Sequence, residues 1–250
     1  MPRRLGQHFL ASRSFLVRIA EAALSTGDSP VVEIGPGKGA LTEQLLSRAP
    51  HVYAIEVDTV LVHYLQQRFR DAANLTILNG DVMKTDLAQW GSVTVAGNLP
   101  YYITSPIIER VLGLGGLLKR AVFLVQKEVA ERLTTGPGSR DYGFLTVHTA
   151  VFAEARMLFT VPPGAFQPPP KVDSAVVLLE PRPQPLVADA EGFLRFAALC
   201  FRQKRKTLRN NLAEAYARDR LAALPEASLR AEQLSVGDLA IVYEKVRTGA

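Results

Sequence analysis

The sequence predicts an α/β chain: an open sheet with helices on both faces, followed by a small all-helical domain. Three observations predict it. Short β-branched runs such as Val31–Ile34, Val52–Glu56 and Val93–Gly97 each end in a polar loop, and a helix-like segment follows. Pro181, Pro183 and Pro185 then break the pattern. Beyond them only amphipathic periodicity remains, in Ala190–Phe201, Thr207–Tyr216 and Val236–Arg247. The boundary is expected at residues 182/183, giving domains 1–182 and 183–250.

At 250 residues and 48% hydrophobic content the chain has enough apolar material for a full core. The single cysteine, Cys200, lies in an apolar run and excludes an intrachain disulfide, which fits a reducing, cytoplasmic setting. Four scattered histidines give no metal-ligand spacing, so no metal is expected. No apolar run reaches the roughly 20 residues of a membrane span. Arg3, Arg4, Arg13 and Arg18 without an acid faintly suggest a presequence, but motif residues beginning near Leu5 leave no room for one. No exposed apolar repeat argues for assembly, and a monomer is expected. The net charge of +5 points to a polyanionic partner.

In chain order, Gly6–Leu10 reads as a loop before a helix over Phe15–Leu24, with Ser12 or Ser14 as the N-cap. Strand Val31–Gly35 runs into Gly35-Pro36-Gly37-Lys38-Gly39 and a helix through Arg48. Glycines at such a turn let a ligand approach the backbone, and the following helix N-terminus favours a carboxylate. The spacing is G-x-G-x-G, not the G-x-G-x-x-G of dinucleotide binders. Glu56 closes the next strand 21 residues beyond Gly35, near the separation at which a carboxylate takes ribose hydroxyls. Asp81 follows strand Leu75–Leu78, where it would accept from an adenine amino group or simply cap a turn.

Asn98-Leu99-Pro100-Tyr101 joins strand Val93–Gly97 to a helix over Ile103–Leu112. Pro100 pushes Leu99 into an extended conformation, which would hold its carbonyl outward as an acceptor. Asn98 adds a side-chain acceptor and Tyr101 a flat ring. Two acceptors beside a stacking face suit an amino group on a planar heterocycle such as adenine N6; an ordinary turn is the plain alternative. Further strands are expected at Val122–Gln126, Met157–Val161 and Ala175–Leu179, with helices entered at Lys127 and spanning Tyr142–Val151. Pro168-Pro169-Pro170 would form a stiff extended segment holding Phe166 against a substrate, unless Phe166 is tucked into the core.

Residues 182–250 hold 12 basic and 8 acidic side chains, and Arg202, Lys204, Arg205, Lys206 and Arg209 cluster without an intervening acid. If that segment is helical, Arg202, Arg205, Lys206 and Arg209 share one face. A solvated charged face is the ordinary outcome, but five cations within eight residues favour phosphate contacts.

With these residues laid out, the chain resembles the ribosomal RNA adenine N6,N6-dimethyltransferase family, nearly end to end. The resemblance rests on Leu5–Leu10, Glu33–Gly37 with Leu41-Thr42, Asn98–Tyr101, Gln126–Val129, Phe166–Val176 and Arg205–Asn210. It implies a Rossmann-like class I methyltransferase sheet using S-adenosyl-L-methionine. It implies that Gly35 and Gly37 lie under the methionine part of that cofactor, that Glu56 takes the ribose with Val57 beside the adenine, and that Asp81 and Val82 hold the adenine. His8 and Leu10 would cover the site, and Asn98 would border both cofactor and substrate. Asn98, Leu99, Pro100, Tyr101 and Phe166 would carry the chemistry. The implied substrate is a pair of adjacent adenosines in the 3′-terminal hairpin of 16S rRNA, within an immature small ribosomal subunit. The family usually carries Asn where this chain has His8, and commonly Asn where it has Tyr102. Two other readings remain at this stage: the branch that methylates large-subunit rRNA, opposed by the last two motifs, and a non-catalytic assembly or transcription factor, opposed by the complete cofactor pattern.

Overall fold

A computed structural model describes residues 8–25 and 29–248; Arg3, Arg4 and Leu5-Gly6-Gln7 of the first motif lie outside them. Its chain divides into two units. The first comprises residues 1–130 and 155–181, the second 131–154 and 182–250.

The first unit is built on a seven-stranded sheet. In chain order, β1 (Phe9–Leu10) and α1 (Arg13–Ala23) precede β2 (Val31–Ile34), α2 (Ala40–Leu46), β3 (Val52–Glu56), α3 (Thr59–Arg68) and β4 (Leu75–Asn79). Then come β5 (Val93–Asn98), α4 (Thr104–Leu112), β6 (Leu118–Gln126) and α5 (Lys127–Thr134), followed, after α6 (Phe144–Phe152) of the second unit, by β7 (Ala153–Val161), β8 (Phe166–Gln167) and β9 (Ser174–Pro181). The strand order is β4-β3-β2-β5-β6-β9-β7. Pairing is parallel from β4 to β6 and antiparallel between β6 and β9.

The chemistry of the strands explains this order. All four residues of β2 are at most 2% exposed, including Glu33, as a strand covered on both faces requires. Each Val or Ile so buried contributes about 1.5–3 kcal/mol. Gly97 makes the central pairing possible, because a Cβ there would lie 2.4 Å from the Ile34 carbonyl oxygen. From β2 the chain winds outward to β4, then crosses back to β5 on the other side. The carboxyl ends of β2 and β5 therefore flank the point where winding reverses, the usual location of a ligand crevice in such sheets.

In the second unit, α7 (Ala190–Phe201), α8 (Leu208–Leu212), α9 (Arg218–Ala222) and α10 (Val236–Thr248) bury an apolar cluster that includes Phe193, Phe196, Cys200, Leu208 and Val242. Tyr142, Val147 and Val151 of the 131–154 segment join that cluster, which moves this segment out of the first domain drawn from the sequence. Apolar periodicity identified the helix but not the core it fills.

Three sequence expectations are corrected here. The predicted helix over Thr207–Tyr216 stops at Leu212. The condition set for a shared cationic face, a helical basic segment, is not met: α7 ends at Phe201 and residues 202–206 form a turn. Buried Asn211 explains this, since its Nδ2 donates to the carbonyls of Cys200 at 2.8 Å, Gln203 at 3.1 Å and Lys206 at 3.4 Å. The N-terminal loop also contains a strand, with Phe9 and Leu10 pairing antiparallel to Gln167 and Phe166.

Candidate active site

A cavity of about 490 Å³ opens at the carboxyl ends of β2, β3, β4 and β5, within the size range of ligand pockets, about 300–1,000 Å³. The turns after these strands build its wall, and each is tied back to its neighbours.

After β2, Gly35 and Gly37 adopt φ values of +67° and +59°. A Cβ on Gly37 would lie 2.8 Å from the Phe9 ring, so the turn is tight as well as left-handed. At the end of β3, Glu56 is 4% exposed. Its carboxylate accepts from the Gly37 amide at 3.1 Å and the Asp58 amide at 3.0 Å, so the acid read as a ribose ligand also clamps the glycine turn. Each oxygen retains a further lone pair for a ligand. After β4, Asp81 Oδ1 accepts from the Met83 amide at 2.9 Å; Asp81 is both a turn cap and a cavity residue. Val57 and Val82 line the cavity as well.

After β5, Asn98 Nδ2 donates to the His8 carbonyl at 2.9 Å, which fixes the amide and leaves Oδ1 to act as acceptor. The Leu99 amide donates to the Leu124 carbonyl at 3.0 Å. Pro100, at φ −61° and ψ 126°, is extended. Its carbonyl accepts from Ile103 N at 3.2 Å and from Thr104 Oγ1 at 3.1 Å. The Tyr101 hydroxyl bonds to Ser174 Oγ at 2.9 Å, and partial burial raises its pKa. The His8 ring lies 26° from parallel to the Tyr101 ring, with centroids 6.0 Å apart. His8 Nδ1 is 2.8 Å from the Pro168 carbonyl. Asn98 thus meets residue 8 through the main chain, so the contact survives whichever side chain stands there.

The structure brings together His8, Gly35, Gly37, Glu56, Val57, Asp81, Val82, Asn98, Leu99, Pro100 and Tyr101. Two of the residues predicted for cofactor and catalysis lie elsewhere. Phe166, 2% exposed, packs in the core with Leu10 and Leu16. Pairing of β8 with β1 turns it inward, away from the face the proline-rich reading gave it. Leu10 lines a smaller space of about 40 Å³ beneath the glycine turn. The Gln167–Pro168 peptide is cis.

Sequence reasoning missed Met83, Ile103 and Ile107, which also line the cavity. Ile103 and Ile107 are four residues apart where α4 begins, a spacing that signalled a shared face but not what it covers. Ser174 was quoted only as part of a motif; its contact with Tyr101 spans 73 residues and has no local signature.

Glu33 lines the smaller space and is 1% exposed. Burial, reinforced by the charge of Glu56 and offset only in part by Thr42, pushes its pKa up to about 8. Its Oε2 makes no hydrogen bond. Among the described residues no cluster of His, Cys, Asp and Glu is suited to a metal, and no helix is long and apolar enough to cross a membrane.

A crevice at the reversal of a parallel sheet, walled by a glycine turn and by acids after the next two strands, defines a class: the class I methyltransferases, whose cofactor is S-adenosyl-L-methionine. Two solved structures share the architecture over nearly the whole chain. A dimethyladenosine transferase from Plasmodium falciparum has a TM-score of 0.83 and 28% identity, covering 97% of this chain and 98% of that one. The 23S rRNA methyltransferase ErmE has a TM-score of 0.72 and 30% identity, covering 96% and 99%. A family model described as ribosomal RNA adenine dimethylase matches residues 2–245, and the chain belongs to that family. Its relatives include proteins named ribosomal RNA small subunit methyltransferase A. That of Koribacter versatilis is 40% identical over 98% of this chain and 94% of its own length. That of Acidobacterium capsulatum is 43% identical over 96% and 89%.

The cavity fits the cofactor. Glu56 at its wall retains acceptor capacity, and Gly35, Gly37 and Asp81 line it beside that acid.

Proposed function

We propose that this protein dimethylates N6 of two adjacent adenosines in the 3′-terminal hairpin of 16S rRNA, acting on an immature small ribosomal subunit as a cytoplasmic monomer. The observation that carries the reading is the Asn98–Tyr101 turn, whose acceptor and ring are fixed beside the cofactor cavity by bonds to His8 and Ser174. Relatives named for the small subunit, at 38–43% identity, favour that RNA over the large-subunit substrate named for ErmE, at 30%.

In this reading Gly35, Gly37, Glu56, Val57, Asp81 and Val82 hold the cofactor, which supplies an electrophilic sulfonium methyl when bound. The adenine nitrogen is a weak nucleophile because its lone pair is delocalised into the ring. Asn98 Oδ1 and the Leu99 carbonyl accept its two N–H groups and favour a pyramidal nitrogen with the lone pair directed outward. Tyr101 stacks on the extruded base, an interaction worth about 1–3 kcal/mol. Positioning supplies much of the remaining acceleration. After the first transfer one N–H remains, so one acceptor releases its bond before the second. Arg202, Lys204, Arg205, Lys206 and Arg209 contact phosphates.

The test is methylation of unmodified small and large subunits, followed by nucleoside mass spectrometry of digested RNA. Dimethyladenosine at two sites of small-subunit RNA alone is expected. Its appearance in large-subunit RNA would transfer the chain to the other substrate, and no methylation despite cofactor and subunit binding would leave a binding factor.

A further inference from the structure

Tyr101 and Tyr102 are consecutive and both line the cavity, yet their environments are opposite. Tyr101 is partly buried with its hydroxyl held by Ser174. Tyr102 is 66% exposed. An exposed aromatic ring is commonplace by itself. This one is set on the short 3-10 turn Tyr101–Ile103, whose backbone is closed onto the Pro100 carbonyl, so its Cα is fixed relative to Asn98 and Tyr101.

We propose that Tyr102 stacks on the nucleobase adjoining the extruded adenosine, as a positioning residue for the RNA strand at the cavity mouth. The inference rests on the proposed function. Extruding a base strips its neighbour of a stacking partner on one side, at a cost of a few kcal/mol for the duplex or loop. A solvent-facing ring carried on a fixed backbone beside the cavity replaces that partner without selecting among bases, because every base presents a π face. Where the two target adenosines are adjacent, the base on Tyr102 during one of the transfers is the other target.

The test compares the full-length wild type with Tyr102→Ala and Tyr102→Phe, using unmodified small subunits as substrate and calorimetry for S-adenosyl-L-methionine. Tyr102→Ala is expected to raise KM for subunits by about 5–100-fold, affecting KM more than kcat, with cofactor affinity within about twofold. Tyr102→Phe is expected to restore KM to near the wild-type value, since stacking needs the ring and not the hydroxyl. Unaltered cofactor affinity shows that the truncated variant is folded. A methylating wild type whose KM is insensitive to Tyr102→Ala would overturn this inference alone. A Phe variant as impaired as the Ala variant would overturn stacking. A wild type that leaves small-subunit RNA unmethylated overturns the proposed function and this inference with it.

Discussion

At the end of β5 the turn is held by fixed partners that leave its acceptors open: Asn98 Nδ2 donates to the His8 carbonyl, the Leu99 amide to the Leu124 carbonyl, and the Tyr101 hydroxyl meets Ser174. The 202–206 turn is fixed only from beneath. Asn211 gathers its carbonyls, Arg202 pairs with Glu214 at 2.9 Å and Lys204 reaches the Arg140 carbonyl at 3.2 Å, while all five basic side chains of the cluster are exposed. The contrast follows from the tasks proposed for each region. Aligning a lone pair with a methyl carbon tolerates little displacement, so the donors and acceptors are immobilised beforehand. Neutralising phosphates needs charge density more than exact placement, and exposed cations supply it.

This contrast can be broken most severely at Asn98. Asn98→Ala removes the proposed acceptor and the tie to His8, and should lower single-turnover methyl transfer by about a hundredfold or more, as loss of one preorganised partner typically does. The melting temperature should change little, because the residue is not part of an apolar cluster. Near-normal turnover would remove Asn98 from the chemistry. A smaller effect is expected in the basic turn. Replacing Lys204, Arg205 and Lys206 with Ala should weaken RNA binding and flatten the log–log salt dependence by about 0.7–0.9 for each phosphate no longer neutralised, with cofactor affinity unaffected. An identical salt slope would return these side chains to simple solvation.

Glu33 offers a separate test, and it addresses stability rather than turnover. Its pKa rises from 4.5 to about 8 on folding, so below 4.5 both states are protonated and there is no penalty. As pH climbs from 4.5 to 8 the unfolded chain gains a charge that the folded one resists, and stability falls; above 8 the loss is complete. Ligand-free Glu33→Gln should therefore melt higher than wild type, by a margin that grows across this interval and then levels off. A pH-independent margin in scans from pH 5 to 9 would exclude a buried neutral acid.

Much of the site was legible because its elements are local in the chain. Strand, turn and acid recur within a few residues, and Gly35, Gly37, Glu56, Asp81 and Asn98 each sit where a β-branched run ends. Phe166 was misplaced for the opposite reason: whether a ring beside prolines faces a ligand or the core depends on a partner strand, here Phe9–Leu10, more than 150 residues away. The conformation of the basic turn stayed open because i, i+3 and i+4 spacing describes a helix once formed, and does not reveal that a buried amide at Asn211 will end it.

Local sequence was enough to set the alternation of strands and helices, the glycine turn, the acids after the strands and the identity of the Asn98–Tyr101 turn, since each depends on neighbours in the chain. Long-range packing was needed to join residues 131–154 to the C-terminal helices, to make Glu56 the clamp of the glycine turn, and to bring Ser174 and His8 to Tyr101 and Asn98. Those three pairings join residues 19 to 90 positions apart, where only packing, and no local preference, chooses the partner.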